Sequence, residues 1–387
     1  MKAANLFNRV ENTVSQLKEL DIHFADSIYV ISKPQFDEMN RISDIFLKLI
    51  KRLYKANIYW NSELGLVSHI KNLPALNISF SPMRLDFLQK NDKTLVLSDV
   101  NLPGSFVPDL FWPAFGIGSS NEEIRILGSN FKVFNAFSYY SENLNDTLGY
   151  SPRIIRFLEK HTVKTKKQLN FLENLYKYIK DSSLDLDFRN KEVTYSILSD
   201  LSSEEIISVF LNTHNSPDNL ISSFKTICDF KNPIFANPQL LPYTDKKPPS
   251  YDFLKTYLSK HDANYLYNHL PQLSSEEDYI KKRRFGHSSS SLSSEHGSYF
   301  DYPEVKLEKL YPLNYQNIEA PLFKEENKRN SKYKNYLFEI SLNSFIITKK
   351  NEVHNYCSAV SISSRGNPTH PISGPHTTLF PTILSME

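Results

Sequence analysis

The sequence predicts a mixed chain of the α+β or α/β class, and three observations carry that expectation. A hairpin between Arg84 and Gly104 holds polar side chains at matched spacing, an unbroken apolar stripe marks a helix over 35–54, and strands alternate with helices after Asn190.

The helix comes first in the chain. Phe36, Met39, Ile42, Ile45, Phe46, Leu49, Ile50 and Leu53 recur at helical spacing, Ser32 and Gln35 stand at the separation of a capping box, and Pro34 lies near the start. Its apolar stripe reads as core and contributes no site.

The hairpin comes next. Arg84-Leu85-Asp86 is followed by an apolar run, a polar Asn91-Asp92 turn, a second apolar run and then Asp99-Val100-Asn101-Leu102-Pro103-Gly104. Side chains two apart on a strand share a face, so Asp86 projects beside Arg84, and Asn101 beside Asp99. Three oxygen donors and one guanidinium then fall in one place. Hard oxygen donors suit Mg²⁺, which takes few carboxylates and completes its shell with water and phosphate. A neighbouring arginine suits charge developing on a phosphoryl group in transfer. An ordinary surface hairpin with an exposed ion pair fits the same spacing.

Further along, Leu169, Leu172, Tyr176 and Ile179 predict a helix from about 166 to 180. Val193–Leu198 reads as a buried strand, Ser202–Asn212 as a helix opened by Ser-Ser-Glu-Glu, and Asn232–Phe235 as another strand. A turn-rich stretch from Pro238 to Pro249 precedes a helix from about Tyr251 to Leu258. Residues 284–300 are dominated by Ser, Gly and His and predict a mobile loop, and strands return from Tyr336 onward. No internal repeat is present. At 387 residues the chain has length for two or three sub-domains, drawn here at 1–160, 161–270 and 271–387.

Composition excludes several classes. A net charge of +2 offers no general attraction for nucleic acid or anionic membrane. Two cysteines, Cys228 and Cys357, are too few for a disulfide scaffold and suit a reducing cytosol. The first residues lack a signal-peptide apolar region, and no uncharged apolar run nears the roughly 20 residues that span a bilayer. A cytoplasmic protein is expected. With 10 glycines there is no Gly-x-Gly-x-x-Gly dinucleotide loop.

Several motifs occur in one order: Arg84-x-Asp86 and Asp99-x-Asn101, then Asn237-Pro238, Lys246-Lys247 leading into a helix, Asp278 to Gly286 with Lys281-Lys282-Arg283-Arg284, and Tyr315-Gln316-Asn317-Ile318-Glu319. Together they resemble the circularly permuted ATP-grasp ligases, the family that includes glutathionylspermidine synthase, over roughly 25–385. The resemblance implies an ATP-grasp-like fold with a small Rossmann-like α/β lobe at 161–270. The metal-binding hairpin would lie in 1–160, and the lid and nucleotide-binding part in 271–387.

It implies ATP and Mg²⁺ as cofactors and small-molecule carboxylate and amine substrates joined through an acyl phosphate, with no nucleic acid and no membrane. By position, Asp86, Asp99 and Asn101 match the Mg²⁺ ligands, and Arg84 the catalytic arginine facing the transferring phosphate. Lys282 matches the phosphate-binding lysine of the lid strand and Lys247 a second nucleotide-binding lysine. Gly286 to Ser291, with Ser288, Ser289 and Ser290, match the closing loop, and Gln316 and Ile318 the hinge that reads adenine. The chain departs from the family in having Asp99 where Glu is usual, one glycine and four serines in the lid, and only Arg365 near the position of the last family arginine.

Two rivals stand beside this ligase. One is an ATP-grasp protein that binds nucleotide or a partner without turnover. The other is a nucleic-acid or zinc module built on Lys281–Arg284 and on His354, Cys357, His370 and His376, against which Pro371 and Pro375 forbid the helix a zinc finger needs.

Overall fold

The structure, a computed structural model, describes residues 29–60, 71–89, 94–102, 136–157, 193–209, 225–235, 237–245, 247–271, 338–366, 378–380 and 382–387. Shorter stretches at 23–24, 122–126, 129–133, 185–189, 279–283 and 304–308, and isolated positions between them, complete it.

Helix α1 (Lys33–Ala56) forms where the apolar stripe predicts it. Ser32 caps it: the Ser32 N–H donates to Gln35 Oε1 at 3.3 Å while Ser32 Oγ accepts from the Gln35 N–H at 3.5 Å, the reciprocal pair of a capping box. Such a cap stabilises by about 1 kcal/mol. At the other end Asn57 takes φ 51°, a left-handed conformation that Asn tolerates, and its N–H returns to Leu53 and Tyr54 carbonyls. Met39, Ile42, Phe46, Leu49, Ile50 and Leu53 are all buried.

The helix lies on a ten-stranded mixed sheet. In spatial order the strands are β1 (His23–Phe24), β15 (Thr378–Phe380), β14 (Glu352–Gly366), β13 (Phe338–Lys349), β3 (Ile78–Gln89), β10 (Ile234–Phe235), β9 (Ile206–Val209), β7 (Arg153–Phe157) and β8 (Asp185–Arg189), with β4 (Leu95–Asn101) also on β3. From β8 to β3 neighbours run parallel, and β3, β13, β14 and β15 then alternate antiparallel. Strands from all three sequence segments enter this one sheet.

A four-stranded sheet joins β2 (Tyr29–Ile31), β16 (Thr382–Ser385), β6 (Ser129–Val133) and β5 (Glu122–Ile126), helix α2 (Ala136–Leu148) follows β6 in the chain, and β11 (Tyr279–Arg283) pairs with β12 (Glu304–Glu308). No helix among the described residues is long and apolar enough to cross a membrane.

Strand β3 changes partner halfway along one edge. Ser79 and Phe80 pair with β10, Arg84 to Gln89 pair with β4, and Pro82 falls between the two ladders, where a residue without an N–H costs no hydrogen bond. β4 is held from outside as well, since the Leu97 N–H donates to the His269 carbonyl at 2.8 Å. His269, just beyond α5 (Lys260–Asn268), in turn reaches Glu38 of α1 at 2.9 Å through Nε2.

Two elements differ from the sequence expectation. Val193–Leu198 is not a strand. Thr194 caps a short helix, α3 (Tyr195–Ser199), its Oγ1 accepting from the Ile197 N–H at 3.4 Å. Nor does a helix span Ser202–Asn212. The Ser-Ser-Glu-Glu signal makes its cap, with Ser202 N–H to Glu205 Oε2 at 2.8 Å, but one turn later Ile206, Ile207, Ser208 and Val209 enter β9. Ile206 and Ile207 are wholly buried between neighbouring strands, and β-branched residues there favour the sheet over a second helical turn.

Helix α4 (Tyr251–Tyr257) and the strands after Tyr336 form as expected. The helix over 166–180 shows helical backbone at Lys166, Leu169, Asn170 and Glu173, with its remainder outside the described residues. So are the Asn91-Asp92 turn and the loop 284–300.

Candidate functional site

Alternation along β3 sends Ser79, Ser81, Met83, Leu85 and Phe87 to one face and Phe80, Arg84 and Asp86 to the other. The first face meets α1 and the main core. The second carries the polar site.

β4 delivers its side chains to that face by means of a bulge. Phe87 pairs with Leu97 and Asp86 with Asp99, leaving Ser98 as the extra residue, whose Oγ donates to the Asp86 carbonyl at 3.0 Å. Without it, Leu95, Leu97, Asp99 and Asn101 would share one face by period two. The one-residue shift leaves Leu95 and Leu97 with the core and turns Asp99 and Asn101 toward Asp86 and Arg84.

β13 supplies the other side. Ser341 lies opposite Asp86 and Asn343 opposite Arg84. Glu339, two residues before Ser341, shares that face, and Arg365 of β14 occupies the register position opposite Glu339.

These side chains converge. Arg84 donates to Asp86 in fork geometry, Nε to Oδ1 at 2.8 Å and Nη2 to Oδ2 at 3.1 Å. Asn101 Nδ2 donates to Asp86 Oδ2 at 2.9 Å, and Ser341 Oγ to Asp86 Oδ1 at 2.6 Å. The pair is shielded, with Asp86 1% and Arg84 11% exposed, which places it among charge-assisted contacts that solvent screens little. The reading of the hairpin as an exposed surface ion pair is thereby set aside.

Among the described residues, one group of three acidic side chains could hold a metal ion: Asp86, Asp99 and Glu339, with ligand atoms all within 4.8 Å of one another. Trans oxygens on Mg²⁺ are about 4.2 Å apart, so small side-chain movements would close such a shell. Hard oxygens and one carboxamide are the donors that ion prefers.

Glu339 escaped the sequence reading. Its signal was the polar alternation Glu339-x-Ser341-x-Asn343 between Phe338, Ile340 and Leu342, which marks a strand with one polar buried face. Glu339, Ser341 and Asn343 are all buried. Toward the start of β3 the same face turns aromatic, with Phe80 and Phe345 stacked at 6.0 Å and Phe235 at 6.4 Å from Phe345.

The remaining sequence candidates are placed differently. Lys247 lies at an aromatic corner on the α1 side of the sheet. Its N–H donates to Asp245 Oδ1 at 2.9 Å and its carbonyl accepts from Trp60 Nε1 at 3.1 Å, while Trp60 packs edge-on against Phe46 of α1. Lys282 is in β11 opposite Val305 of β12, and its side chain is outside the described atoms. Gly286, Ser288, Ser289, Ser290, Gln316 and Ile318 lie outside the described residues, as do His370 and His376 of the zinc reading.

Asn237-Pro238 has a structural part: Asn237 Oδ1 accepts from the Gln239 N–H at 2.9 Å and caps the 3₁₀ turn Pro238–Thr244. Burial, with Asp229 adding, pushes the Cys228 thiol up to about 11, so it is no nucleophile at neutral pH.

No family model matches the sequence. No curated protein matches it either. Among solved structures, that of a glutathione synthetase-like effector from Globodera pallida, determined in the apo form, aligns with 97% of this chain and 96% of its own at a TM-score of 0.54 and 12% identity. At that identity the likeness speaks for architecture alone: the chain has the fold of a glutathione synthetase-like protein.

Proposed function

We propose that this chain is an ATP-dependent carboxylate–amine ligase of the circularly permuted ATP-grasp type, with the β3–β4–β13 face as its reaction site. The observation that carries the reading is the meeting of the half-buried Asp99, Asn101 and Arg84 with the buried Asp86 and Glu339 on one face. The glutathione synthetase-like fold supports it, and the metal motif preceding the lysines in the sequence is the permuted order.

Asp86, Asp99 and Glu339, with the Asn101 carboxamide beside them, would hold Mg²⁺, and the ion when bound would neutralise charge on the nucleotide phosphates. Arg84, held by its fork to Asp86, would neutralise charge on the γ-phosphoryl group as it moves. A substrate carboxylate oxygen attacks the γ-phosphorus and ADP leaves. The amine then attacks the acyl carbon, phosphate departs, and the amine gives up a proton. Such chemistry is mostly positioning and charge neutralisation, which suits a site made of fixed strands. Lys282, the 286–291 segment and the Gln316–Ile318 hinge would complete the nucleotide pocket, whereas Lys247, on the α1 side of the sheet beside Trp60, is left out of it.

Calorimetry with ATP, with and without Mg²⁺, together with ADP release in pools of amino acids, peptides and polyamines, tests the reading. Metal-dependent binding and pool-dependent ADP release are expected. Binding without release under any pool favours the non-turnover rival, which Asp99 in place of the family glutamate motivates. No binding at millimolar ATP removes the ligase altogether.

A further inference from the structure

We infer that His269 and Glu38 form a positioning device for β4, the strand that carries Asp99 and Asn101, and that the device holds only while the pair keeps a proton between them. Its bearing on nucleotide rests on the ligase reading; the device itself does not.

The contacts of the imidazole carry it. Nδ1 faces the Tyr265 carbonyl at 2.7 Å, and Nε2 faces Glu38 Oε1 at 2.9 Å. A carbonyl oxygen only accepts, and so does an ionised carboxylate, whereas a neutral imidazole has a single N–H to give. Both contacts together require a proton on each ring nitrogen or a proton on Glu38. Between unperturbed side chains imidazole is the stronger base by about two pKa units. Glu38 keeps 28% of its side chain in solvent, where a carboxylate stays charged. His269 stands at the C-terminal end of α5, where a cation is favoured. The pair is therefore an imidazolium on a carboxylate.

Among the described residues, α1 sets Glu38 and Arg41 around this ring, and α5 sets Tyr265. Arg41 lies over the Tyr265 ring at 3.8 Å, that ring packs on His269 at 4.5 Å, and His261 reaches Arg41 Nη2 at 3.3 Å further out. From β4 comes a backbone N–H. Glu38 thus holds the proton and Arg41 opposes it.

The route to the site is short. The His269 carbonyl accepts the Leu97 N–H at 2.8 Å, an N–H that the ladder to β3 leaves over. Leu97 adjoins Ser98, the bulged residue that turns Asp99 and Asn101 toward Asp86. One residue therefore fastens this part of β4 to α1. When the proton leaves, Nε2 and Oε1 become two acceptors face to face, and the α1 contact goes. The brace is complete on the acid side of the imidazole range and is lost as pH rises through it.

Hydrogen exchange of the full chain between about pH 5 and 8, corrected for the pH dependence of chemical exchange, provides the test. Protection of the Leu95–Asn101 amides should fall about tenfold as pH rises, the loss of one charge-assisted hydrogen bond, while β13 stays level. Glu38→Gln offers a carboxamide N–H to an unprotonated Nε2, so a neutral imidazole keeps both contacts. Its protection should stay within about threefold of the acid-side wild type at every pH. Glu38→Ala should be as poorly protected on the acid side as wild type is on the alkaline side. Mg²⁺-ATP affinity, taken as the ratio of wild type to Glu38→Gln so that the titration of ATP cancels, should fall about threefold or more across the same step.

A wild type whose protection is level with pH, or a Glu38→Gln chain that falls as wild type does, overturns the inference. If Glu38→Ala fails to fold, the comparison of wild type with Glu38→Gln decides alone. A step in protection with no step in the affinity ratio overturns the link from the device to the site. A chain that binds no Mg²⁺-ATP at any pH removes the ligase, and the exchange result then decides the device by itself.

Discussion

Strand β3 carries a buried polar network on each of its faces, and the two are built to different rules. On the α1 side, Ser79 pairs with Thr348, the Asn237 N–H donates to Ser81 Oγ at 2.9 Å, and Asn237 Nδ2 donates to Tyr54 Oη at 2.9 Å. Tyr54 Oη donates to Gln239 Oε1 at 3.0 Å, and Gln239 Nε2 reaches the Leu73 and Pro74 carbonyls at 3.3 Å. Every member is neutral.

On the other side, the described side chains set one guanidinium among three carboxylates. A neutral network needs only its donors and acceptors matched, and it then fastens α1, β3, β13 and the Pro238–Thr244 turn together. A charged one must also set opposite charges against each other, as the Arg84 fork does on Asp86, because a buried charge without compensation costs far more than a buried neutral group. The proposed reading thus puts stability on one face of the strand and function on the other.

The largest expected effect lies on the charged side. Arg84→Lys keeps the charge but loses the fork, and should lower ADP-forming turnover on the order of a thousandfold, about 4 kcal/mol of transition-state stabilisation, while moving the melting temperature little. A variant that melts far lower with turnover per folded molecule intact would break the comparison. Next in size is Asn237→Ala on the neutral side. It strands Tyr54, Thr348 and the Gln239 N–H in the interior and should cost about 3 kcal/mol of stability, read from denaturant midpoints. Mg²⁺-ATP affinity of the folded fraction should be unchanged, and a selective loss of nucleotide binding would assign the neutral network a functional part.

Local signals made some of this legible in the sequence, and tertiary choices hid the rest. Helix α1 was readable because stripe, capping box and Pro34 agree. Arg84, Asp86, Asp99 and Asn101 were readable as one group because the two-residue spacing recurs on both strands. Yet period two alone puts Asp99 with Leu97, and only the Ser98 bulge, a feature of pairing, parts them.

Glu339 was hidden by distance, since nothing local says that β13 pairs with β3 some 250 residues earlier. Ser202–Glu205 misled because a cap is a local signal, while β9 forms through burial between β7 and β10. For Val193–Leu198 a β-branched, apolar composition outweighed a single capping threonine in the reading, and the reverse holds in the fold.

The smallest effect sharpens the neutral side through pH. Burial pushes the Tyr54, Tyr59 and Tyr243 phenols above their ordinary value near 10, and the Cys228 thiol to about 11. In each case the folded state holds its proton more tightly than the unfolded chain. The stabilisation is therefore complete below the unfolded values near 9 to 10 and is lost as pH rises through the folded ones, so melting temperature should fall steadily from about pH 9 upward. Tyr243 Oη donates to the Ile58 carbonyl at 3.0 Å, and its ring packs against Tyr59 and Trp60. Tyr243→Phe should then cost about 1 kcal/mol at neutral pH for the lost hydrogen bond. It should also flatten the alkaline fall, since one group that must ionise on unfolding is gone. A variant whose melting curve above pH 10 runs parallel to wild type would mean that the tyrosine corner opens before it titrates, and the neutral network would then be less rigid than the hydrogen bonds across β3 imply.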